Sequence, residues 1–133
     1  MNQWGNRSLR VRATLDKRLK KVCDELLTHM DVSLISGHRG QHEQDTLFRE
    51  GKSKLQFPQS KHNRYPSLAV DMQPHPYPEK EVELWAALGY MAGMAKIIGE
   101  RYGVELRWGG DWDQDGDLTD NDFDDLFHLE IVE

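Results

Sequence analysis

The chain has 133 residues, 38% of them hydrophobic and 30% charged, with 23 acidic against 17 basic side chains and one cysteine. That length suits a single domain, residues 1–133, with a core that needs no staples. The lone Cys23 excludes an intrachain disulfide and any thiolate metal cluster. The net charge of −6 is local: eight acidic residues fall between Asp111 and Asp125, leaving 17 basic against 15 acidic elsewhere. No basic face of the kind that nucleic acid requires stands out.

The first residues, Met1 to Arg7, lack the apolar core of a secretory signal. No apolar run reaches the length of a membrane span. Synthesis in the cytoplasm without membrane insertion is therefore expected, with any export depending on other factors.

Residues 9–30 read as one amphipathic helix, because Val11, Leu15, Leu19, Val22, Leu26 and Leu27 recur at helical spacing. Cys23 falls in the same pattern, as a buried structural thiol rather than a reactive one. Residues 32–36 form a short strand ending at the glycines 37 and 40. Residues 41–50 form a second helix closed by Gly51. Residues 52–67 are a loop longer than a plain connection needs.

Residues 68–72 form a strand, after which Pro74, Pro76 and Pro78 oppose regular structure. Residues 79–102 form the clearest helix, with acidic first turns, a stripe of Leu84, Leu88, Met91, Ala95 and Ile98, and Gly103 at its end. Residues 106–108 and 127–132 are the last two strands. The fold class is α+β: a small antiparallel sheet with about three helices packed around it. No repeat, low-complexity tract or linker appears, so no separate targeting domain is expected.

Two imidazoles and a carboxylate, His62, His128 and Asp71, make a borderline-soft set suited to a catalytic zinc with an open fourth position. A further carboxylate, Asp125, stands three residues before His128, as the proton acceptor that a zinc site needs. Strand alternation supports the set. Leu68, Val70 and Met72 face one way and Asp71 the other; Phe127, Leu129 and Ile131 face one way and His128 and Glu130 the other. If the two strands are neighbours, Asp71 and His128 share the polar face of the sheet, and His62 arrives from the preceding loop.

Taken in order, several motifs resemble the peptidoglycan metallopeptidases. They are Ser36-Gly37-His38-Arg39 with Gln44, Gly51-Lys52-Ser53-Lys54, Ser60-x-His62, Ala69-Val70-Asp71, Trp108-Gly109-Gly110-Asp111-Trp112 and Asp125-x-x-His128-x-Glu130. That group comprises D-alanyl-D-alanine carboxypeptidases and dipeptidases together with the L-alanyl-D-glutamate endopeptidases of phage endolysins. The Trp-Gly-Gly-Asp-Trp and Gly-Lys-Ser-Lys elements are similar to the phage type. The resemblance implies that His62, Asp71 and His128 bind zinc, that Asp125 is the general base, and that the partner is the peptidoglycan stem peptide. It also implies release to the cell wall through a holin.

Arg39 is the candidate donor to negative charge developing on the substrate carbonyl, with a surface arginine capping the strand as its alternative. Glu130 either orients a ligand histidine or forms a plain salt bridge. One departure stands out. The stretch between His62 and Asp71 is two residues longer than the common pattern, and Pro66-Ser67 replaces its glycine turn, which implies an altered cleft wall.

Asp111 to Asp122 also fits a calcium loop: oxygens from Asp111, Asp113 and Asp115, glycine at 116, Asp117 at the seventh position and Asp122 at the twelfth. The alternative is a solvated acidic loop. The leading expectation is a monomeric zinc endopeptidase cutting L-alanyl-D-glutamate. Its alternatives are a D-alanyl-D-alanine carboxypeptidase or dipeptidase, and a non-catalytic metal-binding virion or wall-associated module.

Overall fold

The computed structural model describes residues 1–121 and 124–133. Its elements follow the order α1 (Asn6–Arg12), α2 (Lys17–His29), β1 (Val32–Ser36), α3 (Gln41–Arg49), a 3-10 turn (Lys61–Asn63), β2 (Ala69–Pro74), α4 (Glu81–Arg101), β3 (Leu106–Gly109) and β4 (Asp125–Ile131). The strands form one sheet in the order β1-β2-β4-β3, and every neighbouring pair is antiparallel. The α+β expectation stands, with four α-helices among the described residues rather than about three.

The extra helix comes from a break at residues 13–16, where one continuous helix was expected. Ser67 draws this segment out of helical geometry: its N–H donates to the Thr14 carbonyl at 2.8 Å, and its carbonyl accepts from the Asp16 N–H at 2.9 Å. Asp16 then caps α2 by accepting from the Arg18 N–H at 2.8 Å. Hydrogen bonds to a distant loop thus replace the intrahelical ones that the apolar spacing favours. The lengthened loop before Asp71 is stitched to the fold at this point, with Ser67 fully buried.

β2 also runs further than its prolines suggest, ending at Pro74. Its pairing with β4 stops at Asp71, so the end of the strand meets β1 alone, with Pro74 opposite Val32. A proline at a strand end removes no ladder bond that the sheet needs there.

The core lies on one side of the sheet. Leu34, Val70, Met72, Leu106, Leu129 and Ile131 meet Leu88, Met91 and Ala95 of α4 and Leu19, Cys23 and Leu26 of α2. Burial pushes the Cys23 thiol up to about 12, the state of an inert structural residue. α4 carries more apolar surface than this core uses. Val82, Trp85, Tyr90 and Ile97 remain exposed, and Leu84 is only partly buried.

The opposite face of the sheet is polar, because alternation that sends Val70 and Leu129 into the core sends Asp71 and His128 outward. These two residues are direct cross-strand partners, so their side chains leave the sheet together. No helix among the described residues is long and apolar enough to cross a membrane.

Candidate metal centre

His62 sits in the 3-10 turn, which Ser60 caps: its hydroxyl accepts from the His62 N–H at 3.2 Å, and Asn63 closes the reciprocal bond to the Ser60 N–H at 3.0 Å. The turn is joined to the strand-end loop by the Arg39 N–H, which donates to the His62 carbonyl at 2.7 Å. His62 is thereby held 2% exposed, against the polar front of β2 and β4.

Three side-chain atoms converge there. His62 Nε2 lies 3.2 Å from Asp71 Oδ1 and 3.2 Å from His128 Nδ1, and His128 Nδ1 lies 3.2 Å from Asp71 Oδ1. The outer nitrogens are already committed. His62 Nδ1 is 2.7 Å from the Gly37 carbonyl, to which it must donate. His128 Nε2 is 2.8 Å from Glu130 Oε1 and donates to that carboxylate. With the outer nitrogens so engaged, a neutral ring at either position turns a lone pair towards the other two inner atoms across the triangle.

One proton can bridge a single edge of this triangle; a divalent cation satisfies all three. Ligands about 2.0–2.1 Å from a tetrahedral ion stand about 3.3 Å apart, which matches the triangle. His62, Asp71 and His128 can hold a metal ion. Two buried imidazoles and a half-buried carboxylate form a donor set that would suit zinc.

The electrostatics agree with a site built for positive charge. Burial opposes ionisation of Asp71, but hydrogen bonds from His128 and His62 and their charges outweigh it and hold the carboxyl well below the usual range. Burial likewise opposes charge on His128, yet the bonds to Asp71 and Glu130 raise it to about 9. Glu130, although partly desolvated, is held down to about 2 by His128 and Arg107, the latter donating at 2.7 Å.

Asp125 lines the same cleft. Burial first, then the charge of Asp71, raises its pKa, which suits a carboxylate that must accept a proton. Its position is not what strand alternation dictates, since residues three apart on a regular strand point to opposite faces. The ladder between β3 and β4 slips here: Trp108 pairs with Leu129, but the next residue, Gly109, pairs with Asp125. Such a bulge re-aims a side chain.

The slip requires glycine, because a Cβ on Gly109 would lie 1.9 Å from the Asp125 carbonyl oxygen. Gly109→Ala is expected to cost about 3 kcal/mol, to lower Tm by about 10 °C and to depress activity by more than the unfolded fraction explains. Gly93→Ala on α4, where a Cβ meets nothing within 4 Å, is the neutral or mildly stabilising control. Equal thermal midpoints for the two variants would remove the assigned role of Gly109.

Arg39 is 9% exposed, so it is not a surface cap. Its Nη1 donates to Gln44 at 3.0 Å and its Nη2 lies 3.7 Å from Asp71 Oδ2, while its buried Nε, 4.0 Å from Glu43 Oε2, has no hydrogen-bond partner among the described residues. Gln44 is fully buried and is fixed by Ser53 and the Leu55 carbonyl. Two supports have weaker sequence signals. The Gly37 carbonyl has none; Arg107 had one, because alternation places it on the polar front, where it pairs with Glu130 across the strands. The Trp112 ring centroid stands 5.4 Å from that of His128.

In the acidic loop, Asp111, Asp113 and Asp115 bring carboxylate oxygens within 4.8 Å of one another. Asp117 is turned away, accepting from the Thr119 N–H and hydroxyl. Asp122 lies outside the described residues.

A cleft of about 780 Å³, with three side-chain atoms able to hold a metal ion on its floor and a carboxylate of raised pKa beside them, has the parts that a hydrolase needs. The comparisons with known proteins make the class particular. The family model of the phage L-alanyl-D-glutamate peptidases matches residues 1–132, and the chain belongs to that family. Among solved structures, the Serratia marcescens L-Ala D-Glu endopeptidase ChiX has a TM-score of 0.74 at 20% identity, covering 96% of this chain and 87% of that one. This likeness establishes a shared fold. No curated protein sequence matches the chain significantly.

Proposed function

We propose that the chain hydrolyses the L-alanyl-D-glutamate bond of peptidoglycan stem peptides with a zinc ion held by His62, Asp71 and His128. The observation that carries the zinc assignment is the 3.2 Å triangle whose outer nitrogens are already bonded. Zinc bound there supplies Lewis acidity towards the scissile carbonyl and lowers the pKa of water towards about 7.

The residues around it have separable tasks. Asp125 takes the proton of the attacking water and passes it to the leaving amine of D-glutamate. Arg39, whose buried Nε makes no hydrogen bond among the described residues, offers a fixed positive donor to charge developing on the carbonyl oxygen. Glu130 holds the His128 ring in the tautomer that frees Nδ1, and Arg107 holds Glu130. Gly37 does the same for His62 through its carbonyl.

Digestion of purified peptidoglycan, followed by mass spectrometry, tests the reaction. Fragments with a new N-terminal D-glutamate and glycan ending in lactyl-L-alanine are expected. Release of D-alanine alone would replace this reading with a carboxypeptidase. The chain acts as a monomer in this reading, reaching the wall through a holin or an equivalent route.

A second ion belongs to the same proposal. Asp111 is 6% exposed and its Oδ1 is buried without a partner among the described residues, beside Asp113 and Asp115. Calcium, which takes carboxylate oxygens in such loops, would satisfy that atom and tie Asp111 to Asp113 and Asp115. Addition of calcium at fixed zinc is expected to raise Tm by several degrees, about 1–2 kcal/mol of linkage. An unchanged midpoint and unchanged activity would dismiss it.

A further inference from the structure

Beside Asp125 a second, shallower cleft of about 490 Å³ opens between α4 and β4. Trp85 and Leu84 form one wall, Leu126 and Phe127 the other, and buried Leu88 the floor. It adjoins the cleft over the metal cradle, since Lys52, Asp125 and Phe127 line both. Trp85 is 53% exposed, although tryptophan is ordinarily well buried. The core does not need it, because α4 seats itself through Leu88, Met91, Ala95 and Ile98.

The chemistry of the substrate says what must lie nearby. On the acyl side of an L-alanyl-D-glutamate bond there is one amino acid and then the lactyl ether of the muramyl sugar. One extended residue spans at most about 3.6 Å, so the sugar ring falls within about 10 Å of the scissile carbonyl. An enzyme cutting this bond cannot keep the glycan at a distance; it must accommodate it next to the catalytic groups.

The larger cleft carries Arg39, Lys54, Lys61 and Arg107 in its lining, cations that suit the glutamyl side, where the stem peptide carries its free carboxylates. The smaller combines the Trp85 indole and the leucines with Lys52, Asp124 and Asp125, the mixture of an apolar platform and polar edges that a sugar requires. The C–H face of a pyranose stacks on an indole, an acetamido methyl packs on leucine, and Asp124 at the rim can accept from sugar hydroxyls.

We propose that the cleft walled by Trp85, Leu84, Leu126 and Phe127 seats the N-acetylmuramyl sugar of the glycan strand, and that Trp85 is its stacking platform. This rests on the endopeptidase reading above. It makes the enzyme selective for stem peptides still attached to glycan.

The test compares two soluble substrates: a disaccharide-linked stem tetrapeptide and the same tetrapeptide bearing only an N-acetyl group. The wild type is expected to show a KM about tenfold lower for the glycan-linked substrate. Trp85→Ala should erase that preference by raising KM about tenfold on the linked substrate. Its kcat, its kinetics on the sugar-free peptide and its Tm should be unchanged, and Trp85→Phe should recover much of the loss.

Equal losses on both substrates, or none on either, would overturn the proposal. So would a concentration-dependent dimer that Trp85→Ala dissociates without changing substrate preference, since the face would then serve a second copy of the chain. Cleavage at L-alanyl-D-glutamate with no sugar preference removes this proposal alone. Release of D-alanine only removes the endopeptidase reading as well.

Discussion

Asp125→Asn is expected to lower kcat on peptidoglycan by about 10²–10⁴-fold, the usual worth of a general base, while leaving one metal ion per chain. Asn keeps the shape of the side chain and the backbone that packs against Gly109, so the bulge survives. It removes the site that takes the proton from water. Neither other carboxylate in the cleft can substitute: Asp71 is itself part of the metal cradle and Glu130 is engaged by His128 and Arg107.

The fold should not suffer. The Asp125 pKa is raised in the folded chain, so ionisation near neutral pH opposes folding, and an uncharged isostere relieves that cost in the metal-free protein. The metal-free Tm should therefore hold or rise. Loss of the metal in Asp125→Asn would mean that Asp125 is a ligand, and retained activity would place the base elsewhere.

Removal of the metal is expected to abolish activity, with full recovery on adding zinc, and His62→Ala should do the same irreversibly. Free zinc about a thousandfold above its Kd should add about 4 kcal/mol of stability, a Tm rise of about 13 °C. The size of that rise depends on pH in a defined direction. In the metal-free chain His128 titrates at about 9, above its unfolded value of about 6.5.

Its proton therefore stabilises the empty site fully below about pH 6.5. That contribution is lost as pH rises through about 9. Zinc must displace this proton, so its affinity should climb about tenfold per pH unit across that window. The gap in Tm between loaded and metal-free protein should widen from pH 6.5 to pH 9. Chelator competition and thermal melts at several pH values measure both; a flat or falling affinity would mean that the cradle does not hold zinc through His128.

Much of this site is legible in the sequence because a strand's side chains alternate. The patterns around Val70 and Leu129 place Asp71 and His128 on polar fronts, and the spacing of Leu88, Met91, Ala95 and Ile98 locates the helix that covers the opposite face. The motif order from Ser36 to Glu130 is enough to recognise the peptidase family. These are local properties: each depends on residues a few positions apart and on the fixed periods of helix and strand.

The tertiary structure decided what local periods do not carry. It broke the first helix at residues 13–16, because backbone bonds to Ser67 outcompete the helix there. It brought His62 within 3.2 Å of a partner 66 positions away, and it fixed both imidazole tautomers through Gly37 and Glu130. It turned Asp125 into the cleft by a slip in register that only Gly109 allows.

The sequence by itself therefore determined which side chains face solvent or core and which chemical groups are on offer. Register between strands, the bulge and the bonding of each ring nitrogen arise from contacts between distant segments, and those contacts decide whether the groups on offer become a site.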